Sequence, residues 1–209
     1  MSYLILVRHG KSQWNELGLW TGLEDVPLSQ QGRKDAKNAA WQLLDIKIDH
    51  VFVSALIRSI KTFEAIKDTL NLNVPITQDL ALDERDYGIY TGKNKWEIEK
   101  QVGEEEFEKI RRGWDYPIPD GETMKDVYKR IVPYYEKKIL PLLKSDKNIL
   151  VVSHGNALRA LEKYLDNLTE EQFMELEFGI GEVHIYKIDK EGKVLSKEIR
   201  AENPDKGKI

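Results

Sequence analysis

Two short apolar runs, residues 3–7 (Tyr-Leu-Ile-Leu-Val) and 149–153 (Ile-Leu-Val-Val-Ser), lead to the same dipeptide: His9-Gly10 after Arg8, and His154-Gly155. Runs without polar alternation are what strands buried on both faces show. Residues 50–53 form a third run of this kind. Each run gives way to a polar turn and then a helical stretch. Ser29 is a candidate N-cap for a helix carrying Ala36, Ala39, Ala40 and Leu43. Residues 58–70 and 122–143 also read as helices, the second interrupted or bent near Pro133. Strands alternating with helices predict an α/β fold with a mostly parallel central sheet and helices on both faces. Residues 181–187 and 193–199 read as two late strands around the turn at 189–192. Residues 1–200 then form a single domain, and residues 201–209 a flexible polar tail.

Composition removes several classes of function. The chain of 209 residues contains no cysteine, which excludes disulfides, thiolate metal sites and cysteine nucleophiles, and fits a cytoplasmic setting. Residues 1–7 are too short for a signal peptide, and no apolar run approaches the roughly 20 residues that span a bilayer. A net charge of −4 disfavours general attraction to nucleic acid. An anion would therefore have to be bound by a local cluster of cations.

The exits of parallel strands are where open α/β sheets place ligands. Two His-Gly turns at such exits can bring two imidazoles to one rim, and that pattern fits phosphoryl transfer. A nucleophilic histidine must be neutral, with one ring nitrogen free and the other held as a donor. Neighbouring cations disfavour the imidazolium and also hold the phosphoryl oxygens. Arg8 adjoins the first histidine and Arg58 follows Ser54-Ala55-Leu56; the helix start after Gly155 adds backbone donors. The leaving oxygen needs a proton, and Leu82-Asp83-Glu84-Arg85 offers carboxylates; a shielded glutamate can act as acid and then as base.

These segments resemble the histidine phosphatase superfamily, and more narrowly its phosphoglycerate mutase branch. The resemblance runs through Arg8-His9-Gly10, Ser12-Gln13-Trp14-Asn15, Thr21-Gly22, Ser54-Ala55-Leu56 with Arg58, Glu84-Arg85, Tyr87-Gly88, Asn94-Lys95, Arg111-Arg112, Gly121-Glu122-Thr123 and His154-Gly155-Asn156-Ala157-Leu158-Arg159. It implies that His9 is transiently phosphorylated and that Glu84 donates and accepts the proton. It implies that His154, Arg8 and Arg58 line the phosphoryl pocket together with Asn15 and Gly155. It assigns substrate binding also to Ser12, Thr21, Gly22, Tyr87, Lys95, Arg111, Arg112 and Asn156. The implied reaction is interconversion of 3-phosphoglycerate and 2-phosphoglycerate, primed by 2,3-bisphosphoglycerate, with no metal, on a small anionic phosphorylated substrate. Neither nucleic acid nor membrane is an expected partner, and a homo-oligomer is compatible with the resemblance.

Three departures bear on substrate choice and assembly. Lys11 stands where the family commonly has an acidic residue, and Phe178-Gly179-Ile180-Gly181 replaces the usual Ile-Pro-Thr-Gly. The stretch between Arg112 and Gly121 lacks an insertion found in longer members. The alternative function is a phosphatase that uses the same phosphohistidine and lets water take the phosphoryl group; a non-catalytic binding module is the third. His50 and His184 read as surface or packing residues without chemistry. Trp41 and Trp96 read as packing residues, Trp14 and Trp20 as possible pocket walls, and Glu104-Glu105-Glu106 as an exposed helix face.

Overall fold

The computed structural model describes residues 1–206. Its strands are β1 (Ser2–Arg8), β2 (His50–Val53), β3 (Ile76–Gln78), β4 (Ile149–Ser153), β5 (Val183–Ile188) and β6 (Val194–Arg200). Its helices are α1 (Gln13–Glu16), α2 (Gln30–Trp41), α3 (Ile57–Leu70), α4 (Lys95–Val102), α5 (Glu104–Arg112), α6 (Met124–Tyr134), α7 (Leu140–Lys144), α8 (Gly155–Leu165) and α9 (Glu170–Glu175).

The strands form one sheet in the order β3-β2-β4-β1-β5-β6. The pairs β1–β4, β2–β4 and β2–β3 are parallel, while β5 and β6 add an antiparallel edge. The continuous apolar runs have the predicted cause. In β1, Leu4 and Leu6 face one core with α6 and α8 residues, whereas Ile5 and Val7 face a second core with Ala39, Ala40, Phe63 and Ile66 of α2 and α3. Strand β4 divides in the same way, with Ile149 and Val151 on one side and Leu150 and Val152 on the other. Both faces of the central strands are covered, so no polar alternation is tolerated there.

Local chemistry sets the helix ends. Ser29 caps α2 by accepting the Gly32 N–H. The helix expected over 122–143 starts at Met124 instead, because Thr123 and Asp126 form a capping box that leaves Glu122 outside it. It then passes through one wide π turn, Tyr135–Ile139, just after Pro133, a residue that has no N–H to continue the regular ladder.

The polar tail falls partly on residues 207–209, which lie outside the described residues. Residues 201–206 are held by specific bonds: Asn203 donates its backbone N–H to Glu182 Oε1 at 2.8 Å and its amide to the Ile180 carbonyl at 3.0 Å. Trp41 and Trp96 are more exposed than packing roles require, at 59% and 40%. No helix among the described residues is long and apolar enough to cross a membrane.

Candidate active site

Because β1 and β4 are adjacent and parallel, with Arg8 opposite Ser153, both His-Gly turns leave the sheet on one rim. The ring centroids of His9 and His154 lie 4.9 Å apart, and both rings are buried. The turn after β1 is seated tightly. Gly10 donates its N–H to Thr62 Oγ1 of α3 at 3.1 Å, and a Cβ on Gly10 would stand 2.1 Å from the Gly32 carbonyl oxygen of α2. Only glycine allows this approach.

His9 Nδ1 lies 2.7 Å from the carbonyl oxygen of Gly10. A carbonyl can only accept, so Nδ1 carries the proton and Nε2 is left with its lone pair. Burial, followed by the guanidinium groups of Arg58 and Arg8, holds the ring well below the ordinary histidine pKa. The neutral tautomer that a nucleophile requires is thus the resting state.

His154 is fixed by a relay that the sequence reading did not assign. Its Nε2 lies 2.6 Å from Ser54 Oγ, and Ser54 Oγ donates to Asp83 Oδ1 at 2.7 Å. With the hydroxyl proton committed to Asp83, Nε2 is the donor to Ser54. His154 Nδ1 is buried without a partner. Burial, then Arg58, His9 and Arg8, lowers the His154 pKa well below its usual value. Ser54 belongs to the Ser54-Ala55-Leu56 segment and Asp83 adjoins Glu84, but nothing in the spacing links them to a histidine so far along the chain.

His9 lines a cavity of about 670 Å³, whereas His154, expected in the pocket wall, is fully buried behind His9 and is not part of the lining. Arg58 is buried beneath it, donating to the carbonyls of Gly22 (2.7 Å) and Glu24 (2.8 Å); burial lowers its pKa to about 10. Arg8 reaches the Phe178 carbonyl through Nη1 at 2.5 Å, and its Nε has no partner. Lys95 is half-buried, and burial followed by Arg8 and Arg111 pulls its pKa down to about 8. Arg111 and Arg112 also face the cavity, both paired with Glu108, and Arg112 also with Glu177 at 2.7 Å. Arg159, a cation given no role from sequence, lines the same wall and donates to Asn156 Oδ1 at 2.9 Å.

Glu84 enters from the loop after β3. Arg130 ties that loop down through the carbonyls of Ala81, Asp83 and Glu84. Glu84 Oε1 accepts the N–H of Arg85 at 2.8 Å and of Asn156 at 3.2 Å, so it rests on the first turn of α8 rather than in an ion pair with Arg85 or Arg58. Asn156 Nδ2 donates to the Tyr87 hydroxyl at 2.8 Å. Asn15, Thr21, Gly22, Tyr87, Gly155 and Asn156 all line the cavity, as does Trp20.

Ser12 is the exception among the expected substrate-binding residues. It is fully buried, is not part of the cavity wall, and uses its hydroxyl to cap α1 by accepting the Asn15 N–H at 3.1 Å. Its role is to orient Asn15. Lys11 and Ile180 do reach the cavity. His184, expected to have no chemistry, is buried between two glutamates.

Known proteins resemble the chain over most of its length. The family model of the histidine phosphatase superfamily (branch 1) matches residues 4–199. A protein of Rhizobium meliloti named 2,3-bisphosphoglycerate-dependent phosphoglycerate mutase is 41% identical over 199 residues, covering 94% of each chain. One of the same name from Chlamydia muridarum is 38% identical, covering 90% of this chain and 94% of its own. Among solved structures, the alpha-ribazole phosphatase from Shigella flexneri superposes with a TM-score of 0.77 at 24% identity, covering 95% of this chain and 94% of that one. At that identity the likeness speaks for the fold alone.

Proposed function

We propose, for a chain that belongs to the histidine phosphatase superfamily (branch 1), the activity of a 2,3-bisphosphoglycerate-dependent phosphoglycerate mutase that interconverts 3-phosphoglycerate and 2-phosphoglycerate. The observation that carries the chemistry is the state of His9: Nδ1–H is committed to the Gly10 carbonyl, so the free Nε2 lone pair stands among guanidinium groups. Relatives of that name align over nearly the whole chain, and this supports the choice of substrate.

In this reading the phosphoryl group primed on Nε2 of His9 passes to the free hydroxyl of 3-phosphoglycerate: the N–P bond breaks as the O–P bond forms, and Glu84 takes the hydroxyl proton. Nε2 of His9 then attacks the phosphorus of the original ester, its bond to the ester oxygen breaks, and Glu84 returns the proton to that oxygen. Arg8 and Arg58 hold the non-bridging oxygens and stabilise the charge of the transition state. His154, its ring 4.9 Å from that of His9 and its Nε2 held by Ser54 and Asp83, backs the nucleophile as a neutral ring.

The buried donors without partners, Arg8 Nε and Thr21 Oγ1, together with Lys95, Arg111 and Arg112, suit a ligand with more than one anionic group. They fit 2,3-bisphosphoglycerate, which supplies when bound the phosphoryl group that primes the histidine. Among the described residues no group of three or more His, Asp or Glu side chains is placed to hold a metal ion, and the proposal requires none.

The deciding experiment follows 3-phosphoglycerate with and without 2,3-bisphosphoglycerate, measuring 2-phosphoglycerate and free phosphate together. Isomerisation in large excess, dependent on the bisphosphate, is the expected result. Dominant phosphate release would replace the mutase with a phosphatase using the same His9.

A further inference from the structure

Behind the cavity lies a buried charged cluster that the proposed reaction does not use. His184 Nδ1 is 2.6 Å from Glu162 Oε1, and Nε2 is 3.1 Å from Glu182 Oε2, with all three side chains at most 1% exposed. Ionised carboxylates only accept, so both ring nitrogens donate and the ring is an imidazolium. Lys197 Nζ approaches Glu162 at 2.9 Å and Asp166 at 3.0 Å, and the Tyr186 hydroxyl lies within hydrogen-bond distance of both carboxylates. A buried ion cluster is a poor source of net stability compared with apolar packing. What it touches is therefore informative.

It reaches the cavity wall through Phe178 and through Glu182. The His184 ring stacks on Phe178, with centroids 3.8 Å apart and planes inclined by 16°. The Phe178 carbonyl is the acceptor of Arg8 Nη1. Glu182 accepts the Gly179 N–H at 2.7 Å through Oε2 and the Asn203 N–H at 2.8 Å through Oε1. Its backbone carbonyl accepts the Arg8 N–H at 3.2 Å. One carboxylate thus joins β5, the loop 179–181 and the segment 201–206, both of which line the cavity.

We propose that His184 and Glu182 are positioning residues for phosphoryl transfer. Their ion pair fixes the Phe178 carbonyl that aims the Arg8 guanidinium, and it ties residues 201–206 down as a wall of the site. Neither residue reaches the reacting atoms; both act through Arg8 and through the segment. The inference rests on the reading of this cavity as a phosphoryl-transfer site.

The test uses orthovanadate, a mimic of the transferring phosphoryl group, and trypsin, which cuts after Arg200 and Lys206. In folded His184→Asn, vanadate affinity measured by calorimetry should weaken about tenfold, since one oriented charge-assisted contact is loosened. Tryptic release of the segment should speed up by about tenfold, as local opening becomes easier. Asn203→Pro deletes the N–H that meets Glu182 together with the side-chain amide bonded to Ile180, whereas Asn203→Ala removes the amide alone; Asn203→Pro should be cleaved faster than Asn203→Ala, with a smaller loss of vanadate affinity than His184→Asn. A packing role alone would lower the unfolding temperature and leave vanadate affinity unmoved. Wild-type affinity in folded His184→Asn overturns the proposal; should that variant not fold, wild-type cleavage of Asn203→Pro does so. These readouts do not depend on the substrate. A wild type that fails to isomerise phosphoglycerate while the variants lose vanadate sinks the proposed function and leaves this inference standing.

Discussion

The phosphoryl pocket and the cluster behind it each bury histidine almost completely, and they drive it to opposite charge states. At His9 and His154 burial already disfavours the imidazolium, and Arg58 and Arg8 add to it, so both pKa values fall well below normal. At His184 burial opposes the charge as well, but the hydrogen bonds and charges of Glu162 and Glu182 outweigh it and the pKa rises. Burial alone therefore does not decide protonation; the sign of the neighbours does. The consequence is a division of labour. A neutral ring has a lone pair to give to phosphorus, and a charged ring has two donors with which to hold geometry.

The most severe way to break this comparison is at His9. His9→Ala removes the only proposed nucleophile, so turnover should vanish and incubation with 2,3-bisphosphoglycerate should leave no acid-labile, alkali-stable phosphoryl adduct. Wild-type protein that never labels, in a preparation shown to be folded, would end the phosphohistidine mechanism. Glu84→Gln comes next. The amide keeps an acceptor for the Arg85 and Asn156 N–H groups but cannot shuttle a proton, so turnover should fall by roughly 10²–10⁴-fold. Turnover equal to wild type would remove Glu84 from the mechanism and leave it a brace for α8.

The pocket was far more legible in the sequence than the cluster, for a physical reason. Strands covered on both faces print as unbroken apolar runs, so β1, β2 and β4 could be read directly, and His9 and His154 stand at their exits. The relay from His154 through Ser54 to Asp83 depends on three loops meeting, and no local spacing encodes that. The resemblance assigns Ser12 to substrate, but a hydroxyl in a sequence motif serves a cap and a ligand equally well, and only the fold shows that it caps α1. His184 lies in the alternating, polar-looking run Glu182-Val183-His184, which reads as a half-exposed edge strand. The edge is covered: β6 pairs along β5, and Glu162 reaches His184 from α8. A strand pattern reports polarity, and it cannot tell water from a buried carboxylate. The same blindness affects residues 201–206, which are polar in composition yet anchored by Glu182.

The smallest predicted effect is the most direct measure of the contrast, because it reads both regions with one instrument: unfolding temperature against pH, in the absence of phosphate. A histidine whose folded pKa is raised stabilises the native state below its unfolded pKa, and that contribution is lost as pH rises through the folded value. For His184 the advantage of wild type over His184→Asn should therefore shrink as the solution becomes alkaline. Glu162, Glu182, Asp166, Tyr186 and Lys197 belong to the same cluster: burial opposes the charges of Glu162 and Glu182, but hydrogen bonds still lower both pKa values, that of Glu182 to about 2, and Tyr186 is pushed up by burial and by Glu162. A histidine whose folded pKa is depressed behaves in reverse. Its native state is favoured above the unfolded pKa, and that advantage declines as pH falls through the window towards the folded value. The difference between wild type and His9→Ala should then move against wild type on acidification. Two difference curves of opposite slope are the expected result. Parallel slopes would mean that Glu162 and Glu182 do not hold His184 as a cation, and the asymmetry between the two buried regions would be lost.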